Sequence, residues 1–290
     1  MTKIGFIGYG EAARFIIEGL QENGLNREDV YGWSRSLYKA APETLNVTRA
    51  DSMEEIFKLC KLVICITPAS ASVGVAEACK DFMTPDHIYV DVSSSSPKVM
   101  QDVWAIIKDT GVQFADGALL ETVPKYRHRT PTVLAGNGAQ AAYDALIPYN
   151  WNLEVVGTEP GSACAIKMLR SAYTKSLLGI CFETLEAAAY YGIEDYIMNS
   201  LAVTMDNKDF VTGMNIRTCG GVIHAGRRSV ELQMAAEMLE LDGLGTGMCR
   251  AGAAKLKEIG DLNLREKLGD YRPKDWKEAV HMVIDAKAGK

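Results

Sequence analysis

Two glycines and an alanine near the N-terminus have the spacing of a dinucleotide-binding turn. They lie between a short apolar run and an apolar-periodic segment, which is the strand–turn–helix context of such turns. Gly8 would allow the tight turn, Gly10 the approach of backbone to a pyrophosphate, and Ala13 close packing of helix on strand. The free N–H groups at the helix N-terminus would hold the pyrophosphate, although a plain glycine-rich turn is the alternative. The predicted contacts are Gly8, Tyr9, Gly10, Glu11, Ala12 and Ala13.

The end of the second apolar run indicates which dinucleotide is bound. In sheets of this type an acid at this place contacts the ribose of NAD, whereas an arginine accommodates the 2′-phosphate of NADP. No acid stands here, and Arg35 offers a planar cationic fork between the hydroxyl donors Ser34 and Ser36. The sequence therefore predicts NADP, with NAD as the alternative cofactor, and a solvated loop is the alternative for Arg35.

Two further loops leave strand ends, where ligands bind in parallel sheets. In the first loop, Thr67 and Pro68 are predicted to contact the cofactor, and an ordinary turn is the alternative.

The second loop holds four consecutive serines, a ready set of hydrogen-bond donors. Ser93 is predicted to contact the cofactor, and Ser94 and Ser95 are predicted to contact the substrate. The last of the four, Ser96, precedes a proline and would cap the following helix.

A basic cluster follows the fifth apolar run. Arg127 and His128 in this cluster could receive an anionic substrate, because guanidinium groups match carboxylate and phosphate geometry. A solvated loop fits the same residues equally well, and the residues alone leave both interpretations open.

Lys167 is the candidate for acid–base chemistry. It lies among small and apolar residues of a long helical pattern, and Ser171 follows it on the same face. An apolar helix face favours the neutral form of an amine, which can then accept a proton. A lysine that extends its amine to solvent is the alternative that the residues leave open.

The elements that would position these residues are short in the first half of the chain. Apolar β-type runs lie at 3–8, 30–34, 62–67, 88–92, 113–116, 132–135 and 153–156. Helical patterns between them lie at about 11–23, 52–60, 70–82, 97–110 and 138–149. This alternation predicts an α/β domain of the Rossmann type, with a doubly wound parallel sheet.

The second half of the chain shows helical patterns only. A long helix is predicted over about 161–191, followed by helices at 193–206, 208–217, 219–242, 245–259 and 274–287. The boundary is predicted near residue 158, with a dinucleotide-binding domain over 1–158 and an all-helical domain over 159–290. The long interdomain helix would join the two.

Composition limits the partners and the compartment. The 290 residues carry a net charge of −6 without a basic block, so neither nucleic acid nor a membrane is an expected partner. No leader segment is visible and no apolar run reaches a membrane-spanning length, which predicts a cytoplasmic protein. The seven cysteines lack metal-ligand spacing, so free thiols and no metal site are expected.

The chain resembles the β-hydroxyacid dehydrogenase superfamily, which includes 6-phosphogluconate dehydrogenase. It is most similar to a less characterised branch with a distinctive helical C-terminal domain. The resemblance rests on four segments: the glycine turn, Trp33–Ser36, Asp91–Pro97 and Gly161–Lys167. It implies that Lys167 is the catalytic acid and base. Ser171 stands where the superfamily has an asparagine.

The resemblance also marks departures around the substrate. The superfamily anchors substrates with Ser-Gly-Gly, and this chain has Leu120, Glu121 and Thr122 there, so Glu121 and Thr122 are predicted substrate contacts. The closer branch shares the segment around Arg127 and a C-terminal helix face with His224 and Arg228. We expect that face to complete the pocket, and a structural Arg–Glu pair is the alternative.

The resemblance implies an NADP-dependent oxidoreductase acting on a small polar, anionic hydroxy or keto acid. An imine reductase, a sugar-acid oxidoisomerase and a dinucleotide-binding sensor without turnover are the alternatives. A homodimer is expected, because the helical segments are rich in alanine, methionine and leucine and the superfamily dimerises through this region.

Overall fold

The computed structural model describes residues 3–35, 37 and 45–289 of the chain. Ser36, a predicted contact of the cofactor, lies outside the described residues. The chain divides into two compact units, Met1–Ala172 and Tyr173–Lys290. This division falls inside the long helix.

The first unit is built on one eight-stranded sheet in the part of the chain that is described. The strand order is β3-β2-β1-β4-β5-β6-β7-β8. The strands are β1 (Ile4–Ile7), β2 (Val30–Trp33), β3 (Thr48–Arg49), β4 (Leu62–Cys65), β5 (Ile88–Asp91), β6 (Gln113–Leu119), β7 (Thr132–Ala135) and β8 (Leu153–Gly157).

The sheet is parallel from β3 to β6, and β7 then pairs antiparallel with β6. The sheet is therefore mostly parallel, as predicted, with one antiparallel pair at β6–β7. The connection from β6 to β7 carries only the four-residue helix α5 (Val123–Tyr126), whereas a parallel neighbour needs a crossover of a dozen or more residues, usually a full helix. The two-residue strand β3 is also absent from the predicted runs, because it is too short to show a periodicity.

Helices cover both faces of the sheet, which confirms the doubly wound α/β fold. They are α1 (Glu11–Glu22), α2 (Met53–Leu59), α3 (Ser72–Cys79), α4 (Pro97–Ile107), α5 (Val123–Tyr126) and α6 (Ala139–Leu146). Phe6 packs with α1 and α6, whereas its neighbour Ile7 packs with α2, α3 and α4. Successive strand residues point to opposite faces, so continuous apolar runs are required here. Each fully buried side chain of this size contributes roughly 1.5–3 kcal/mol.

A 30-residue helix, α7 (Ser162–Tyr191), begins in the first unit. At about 1.5 Å per residue it is roughly 45 Å long. The helix confirms the long segment that the sequence predicts over about 161–191.

The regular elements of the second unit are helices throughout its described residues. They are α8 (Glu194–Met205), α9 (Phe210–Leu241), α10 (Gly247–Gly260), α11 (Leu264–Leu268) and α12 (Trp276–Lys287). The predicted helices at 208–217 and 219–242 are one continuous helix, α9. Gly220 and Gly221 lie inside α9, and packing of α9 against α10 and α12 outweighs a helix penalty of about 1 kcal/mol per glycine. Among the described helices, none combines the length and apolarity that a bilayer crossing requires.

Candidate active site

The turn after β1 presents backbone to an open cleft. Gly8 has φ +97°, and a Cβ there would lie 2.2 Å from the Ile66 carbonyl oxygen, so a side chain is excluded. A Cβ on Gly10 would have no neighbour within 4 Å. The cleft has a volume of about 820 Å³. Nine predicted cofactor contacts line it: Gly8, Tyr9, Gly10, Glu11, Ala12, Ser34, Arg35, Thr67 and Pro68.

The N-terminus of α1 opens on this cleft. Gly10 is the N-cap residue, and no described side chain caps the helix there. Helices leave their first N–H groups without intrahelical partners, and the helix dipole favours negative charge at this end. The turn and the helix N-terminus beside the cleft therefore fit the pyrophosphate of a dinucleotide. Ala13 is buried beneath the turn, where it packs the helix on the sheet as predicted.

Ser34 and Arg35 follow β2 at the edge of the cleft. The Leu37 N–H donates to Ser34 Oγ at 3.2 Å, so this hydroxyl supports the turn after the strand. Arg35 is exposed and lines the cleft. Its guanidinium is therefore available to a phosphate group on a bound dinucleotide.

Apolar residues that the sequence does not single out complete the cleft. Trp33, Met53 and Val75 line it from β2, α2 and α3. In the sequence, these apolar residues cannot be distinguished from residues of the hydrophobic core. Only the fold shows that they face a cavity.

The loops after β4 and β5 are joined by hydrogen bonds. The Thr67 N–H donates to Ser93 Oγ at 3.1 Å, and the two hydroxyl oxygens lie 3.2 Å apart. Ser93 is buried, so it holds Thr67 at the cleft rather than lining the cleft itself.

Ser95 and Ser96 also serve the local structure. Ser95 is buried, and its hydroxyl donates to the Ala69 carbonyl oxygen at 3.1 Å. The structure thus directs this hydroxyl into the protein and does not support the predicted substrate contact. Ser96 accepts the Val99 N–H at 3.3 Å and is the N-cap of α4, which confirms the predicted cap.

Ser94 is the serine of this loop that meets Lys167. Lys167 Nζ donates to Ser94 Oγ at 2.5 Å. Ser94 has φ +59°, a left-handed conformation that is uncommon for residues other than glycine. Both side chains are half-buried. A strained residue that holds an amine at a strand end is typical of functional sites.

Asp116 fixes the helix that carries Lys167. Its Oδ2 accepts the N–H groups of Gly161, Ala163 and Cys164 at 2.9, 3.1 and 3.3 Å. The Cys164 thiol donates to Oδ1 at 3.0 Å. The carboxylate thus caps the start of α7 from the sheet, and Lys167 follows one turn after Ala163.

A second buried carboxylate shapes the loop that carries Ser94. Asp91 pairs in register with Asp116 on the neighbouring strand, and its Oδ1 accepts the Ser93 N–H at 2.8 Å. Burial raises the pKa of Asp91 to about 6, partly opposed by these hydrogen bonds. Burial also raises the pKa of Asp116. Two adjacent carboxyl groups thus set the geometry of the Lys167–Ser94 contact.

Asp116→Ala is expected to lower the free energy of unfolding by about 2–3 kcal/mol, because it leaves three buried N–H groups without their acceptor. Asp116→Asn keeps one acceptor oxygen and serves as the matched variant with a smaller loss. Urea denaturation measures both. Losses below about 0.5 kcal/mol in both variants, the range of ordinary surface substitutions, would contradict the capping role.

The structure places Arg127 and His128 against the C-terminal half of α1. Arg127 forms ion pairs with Glu18 at 3.2 Å and with Glu22 at 2.7 Å. His128 is buried, and its Nε2 lies 3.0 Å from the Asn23 amide nitrogen. Burial lowers the pKa of His128, and neighbouring arginines add to this effect. This geometry replaces the predicted substrate contacts with a structural role, the attachment of the β6–β7 connection to α1.

The other predicted residues of the first unit lie on the segment between β6 and α5 and on α7. Glu121 accepts from Arg170 Nη2 at 3.2 Å, so it faces the helix one turn after Lys167. Thr122 is the exposed N-cap residue of α5, and its side chain makes no capping bond. Ser171 is half-buried on the Lys167 face.

His224 and Arg228 lie on α9 in the second unit, and both are half-buried. The predicted Arg–Glu pair is formed by Arg227, which donates to Glu231 at 2.5 Å. Arg228 lies along the helix over Gly220, where a Cβ would come within 3.4 Å of its Nη2.

Comparison with known families identifies the first unit. A model described as the NAD binding domain of 6-phosphogluconate dehydrogenase matches residues 3–157, more than half of the chain. The chain belongs to this family. Within this family, the chain also carries a domain of unknown function, DUF1932, over residues 188–259. The resemblance stated from the sequence is thereby confirmed.

Two relatives of this chain are described as uncharacterised or of unknown function. An uncharacterised 28.5 kDa protein of Methanothermus fervidus is 30% identical over 231 residues, which cover 79% of this chain and 88% of that protein. A conserved protein of unknown function, described as structurally similar to 3-hydroxyacid dehydrogenases, is 29% identical with a TM-score of 0.62. That match covers 90% of this chain and 98% of the other.

Imine reductases share the fold. The enzyme of Aspergillus terreus has a TM-score of 0.73 at 14% identity, and the match covers 93% of this chain and 96% of that enzyme. At this identity the likeness shows the fold alone.

Proposed function

We propose that the chain is an NADP-dependent oxidoreductase that transfers a hydride between the nicotinamide and a small polar, anionic hydroxy or keto acid. The observation that carries the proposal is the 2.5 Å hydrogen bond from Lys167 Nζ to Ser94 Oγ. It places an amine at the carboxyl end of β5, where ligands of parallel sheets bind.

A chain of contacts links this amine to the dinucleotide cleft. Thr67 lines the cleft and donates its N–H to Ser93 Oγ, and the next residue, Ser94, accepts from Lys167. The hydrogen-bonded loops after β4 and β5 therefore connect the Lys167 amine to the cofactor cleft within the first unit.

The nicotinamide, when bound, supplies the acceptor and donor of the hydride. Lys167 as the neutral amine would take the substrate hydroxyl proton during oxidation, and as ammonium it would return that proton during reduction. Ser94 orients the amine, since its oxygen accepts a hydrogen bond from Nζ. Asp116 holds the backbone of α7 in place beneath it.

Arg35 supports NADP over NAD. It is exposed at the cleft edge, and none of the described residues from Val30 to Arg35 is acidic. A guanidinium pairs with phosphate through two parallel hydrogen bonds, which a ribose hydroxyl cannot match in strength.

The test is a fluorescence titration with NADPH and NADH, followed by a screen of hydroxy acids, keto acids and sugar acids at the nicotinamide absorbance band. We expect tighter binding of NADPH and turnover of an anionic member of the screen. Turnover of imines alone would replace the proposal with imine reduction. Tight cofactor binding without any turnover would favour a sensor, and no binding of either cofactor would refute the proposal.

A further inference from the structure

Arg170 is a charged residue of α7 that the proposed proton transfer does not use. It follows Lys167 by three positions, and residues at this spacing are neighbours on one helix surface, with Cβ atoms about 5–6 Å apart. Both residues precede Tyr173 and therefore belong to the first unit. A guanidinium thus stands beside the amine that bonds Ser94.

The segment formed by β6 and the residues that follow it contacts α7 at two places. Asp116 on β6 accepts the N–H groups at the start of the helix. Glu121, just after the end of β6, accepts a hydrogen bond from Arg170 Nη2 at 3.2 Å. Lys167 lies between these two contacts along α7, and three helical residues rise by about 4.5 Å. Arg170 therefore lies beyond Lys167, on the side away from the capped start of the helix.

The two cationic side chains are held by neighbouring strand ends. Ser94 follows β5, which pairs in parallel with β6, and Glu121 follows β6. Lys167 donates to the first of these residues and Arg170 to the second. Ligands of parallel sheets bind beyond such carboxyl ends. A ligand whose hydroxyl group meets the Lys167 amine therefore has a guanidinium within reach of its other end.

The contact between Arg170 and Glu121 can be exchanged for a contact with a ligand. The two side chains are 52% and 45% exposed, and ion pairs at such exposure contribute little to stability because water competes for both charges. The contact with Glu121 is made by Nη2. A guanidinium can present two parallel N–H groups to one carboxylate, which binds more strongly than a single bond. A carboxylate ligand thus offers Arg170 a better partner than Glu121 does.

Two other arginines of the first unit are placed for different roles. Arg35 lines the dinucleotide cleft, and Arg127 pairs with Glu18 and Glu22 on α1. Neither accompanies Lys167 on its helix. The position of Arg170 therefore makes it the candidate for an anionic group of the substrate.

We propose that Arg170 binds the carboxylate of the substrate, and that Glu121 releases the guanidinium as the substrate binds. The inference rests on the proposed function, because it assumes that the hydroxyl or keto group of the substrate lies at Lys167. An uncharged alcohol or ketone gains nothing from the guanidinium, so Arg170 selects the acid. Glu121 competes with the substrate for Arg170 and thereby limits the affinity for weakly held anions.

The test is a calorimetric titration of the full chain with malonate at constant ionic strength. One carboxylate of malonate can meet the Lys167 side chain in its ammonium form and the other can meet Arg170. Malonamide, the neutral diamide of the same shape, is titrated in parallel. We expect saturable binding of malonate, and binding of malonamide that is weaker by about tenfold or more, the scale of a hydrogen bond between charged groups.

Two variants are expected to act in opposite directions. Arg170→Gln should weaken malonate by about tenfold or more, since it removes the charged donor. Glu121→Gln keeps an oxygen that can accept from Arg170 and removes the competing charge. It should therefore strengthen malonate by about two- to fivefold, the range for an exposed pair of charges. A purely structural ion pair would make both variants neutral or both weakening, and either result would overturn the proposal.

The ion pair of Arg250 and Glu240 provides the matched control. These side chains are 50% and 48% exposed and lie in the second unit. Arg250→Gln and Glu240→Gln should leave malonate binding unchanged. Equal effects of the control variants would show that malonate responds to net charge alone, which would refute the assignment of Arg170.

Kinetics distinguish this inference from the proposed function. With an acid that the enzyme turns over, Arg170→Gln should raise KM more than it lowers kcat. Turnover with an unchanged KM would refute the role of Arg170 and leave the proposed function standing. Malonate binding that depends on Arg170, in a protein that turns over no acid, would support the carboxylate site and count against the proposed reaction.

Discussion

Lys167→Met is expected to abolish turnover while leaving the Kd for NADPH nearly unchanged. General acid–base catalysis contributes about 10²–10⁴-fold, so kcat for the best substrate of the screen should fall by at least ~10²-fold. Methionine keeps the unbranched shape of the side chain and removes the amine that bonds Ser94. Steady-state kinetics and a fluorescence titration measure the two quantities on the same preparation.

Two further variants test whether the loss is specific to the Lys167 amine and its contact with Ser94. Lys175→Met removes an exposed lysine of α7, two turns beyond Lys167, and should leave kcat unchanged. Ser94→Ala removes the hydrogen-bond acceptor of the amine and should lower kcat by less than Lys167→Met does. If Lys167→Met lost turnover and NADPH binding together, its role as a proton carrier would be rejected.

Arg35→Asp is expected to weaken NADPH by about 30–200-fold and NADH by less than threefold. A hydrogen bond to a charged group contributes about 1.5–3 kcal/mol, each 1.4 kcal/mol is tenfold in Kd, and the new carboxylate repels the 2′-phosphate. Fluorescence titration with both dinucleotides gives the ratio directly.

Salt dependence provides an independent check on Arg35. An exposed contact between charges is screened by ions, so the preference of the wild type for NADPH should decline as ionic strength rises. Arg129→Asp, an exposed arginine of the β6–β7 connection, is the matched control and should change neither Kd. Equal weakening of both dinucleotides by Arg35→Asp would disprove the phosphate contact.

Local patterns predict seven of the eight described strands and most residues of the dinucleotide turn at the cleft. The turn at Gly8 needs only neighbouring residues to be recognised, and the structure places Gly8, Gly10 and Arg35 around one cavity. The strands β1, β4 and β5 are buried on both faces and show it as continuous apolar runs. In these segments, local sequence and tertiary environment impose the same residue types.

Such local patterns do not predict contacts between distant segments of the chain. Arg127 pairs with Glu18 and Glu22, more than 100 residues earlier, and nothing in its own segment reveals those partners. The sequence does not mark Asp116, because a lone aspartate in a strand has no signature of a helix cap 45 residues later. The roles of Lys167 and Ser171, the NADP preference and the homodimer remain predictions.

The position of the unit boundary within α7 has a mechanical consequence. Lys167, Ser94 and the capping Asp116 all precede Tyr173, the first residue of the second unit. A bend of α7 beyond Ala172 would leave the Lys167–Ser94 distance unaltered, because both groups are tied to the same sheet. The Lys167 amine would therefore keep its hydrogen bond to Ser94 through such a bend.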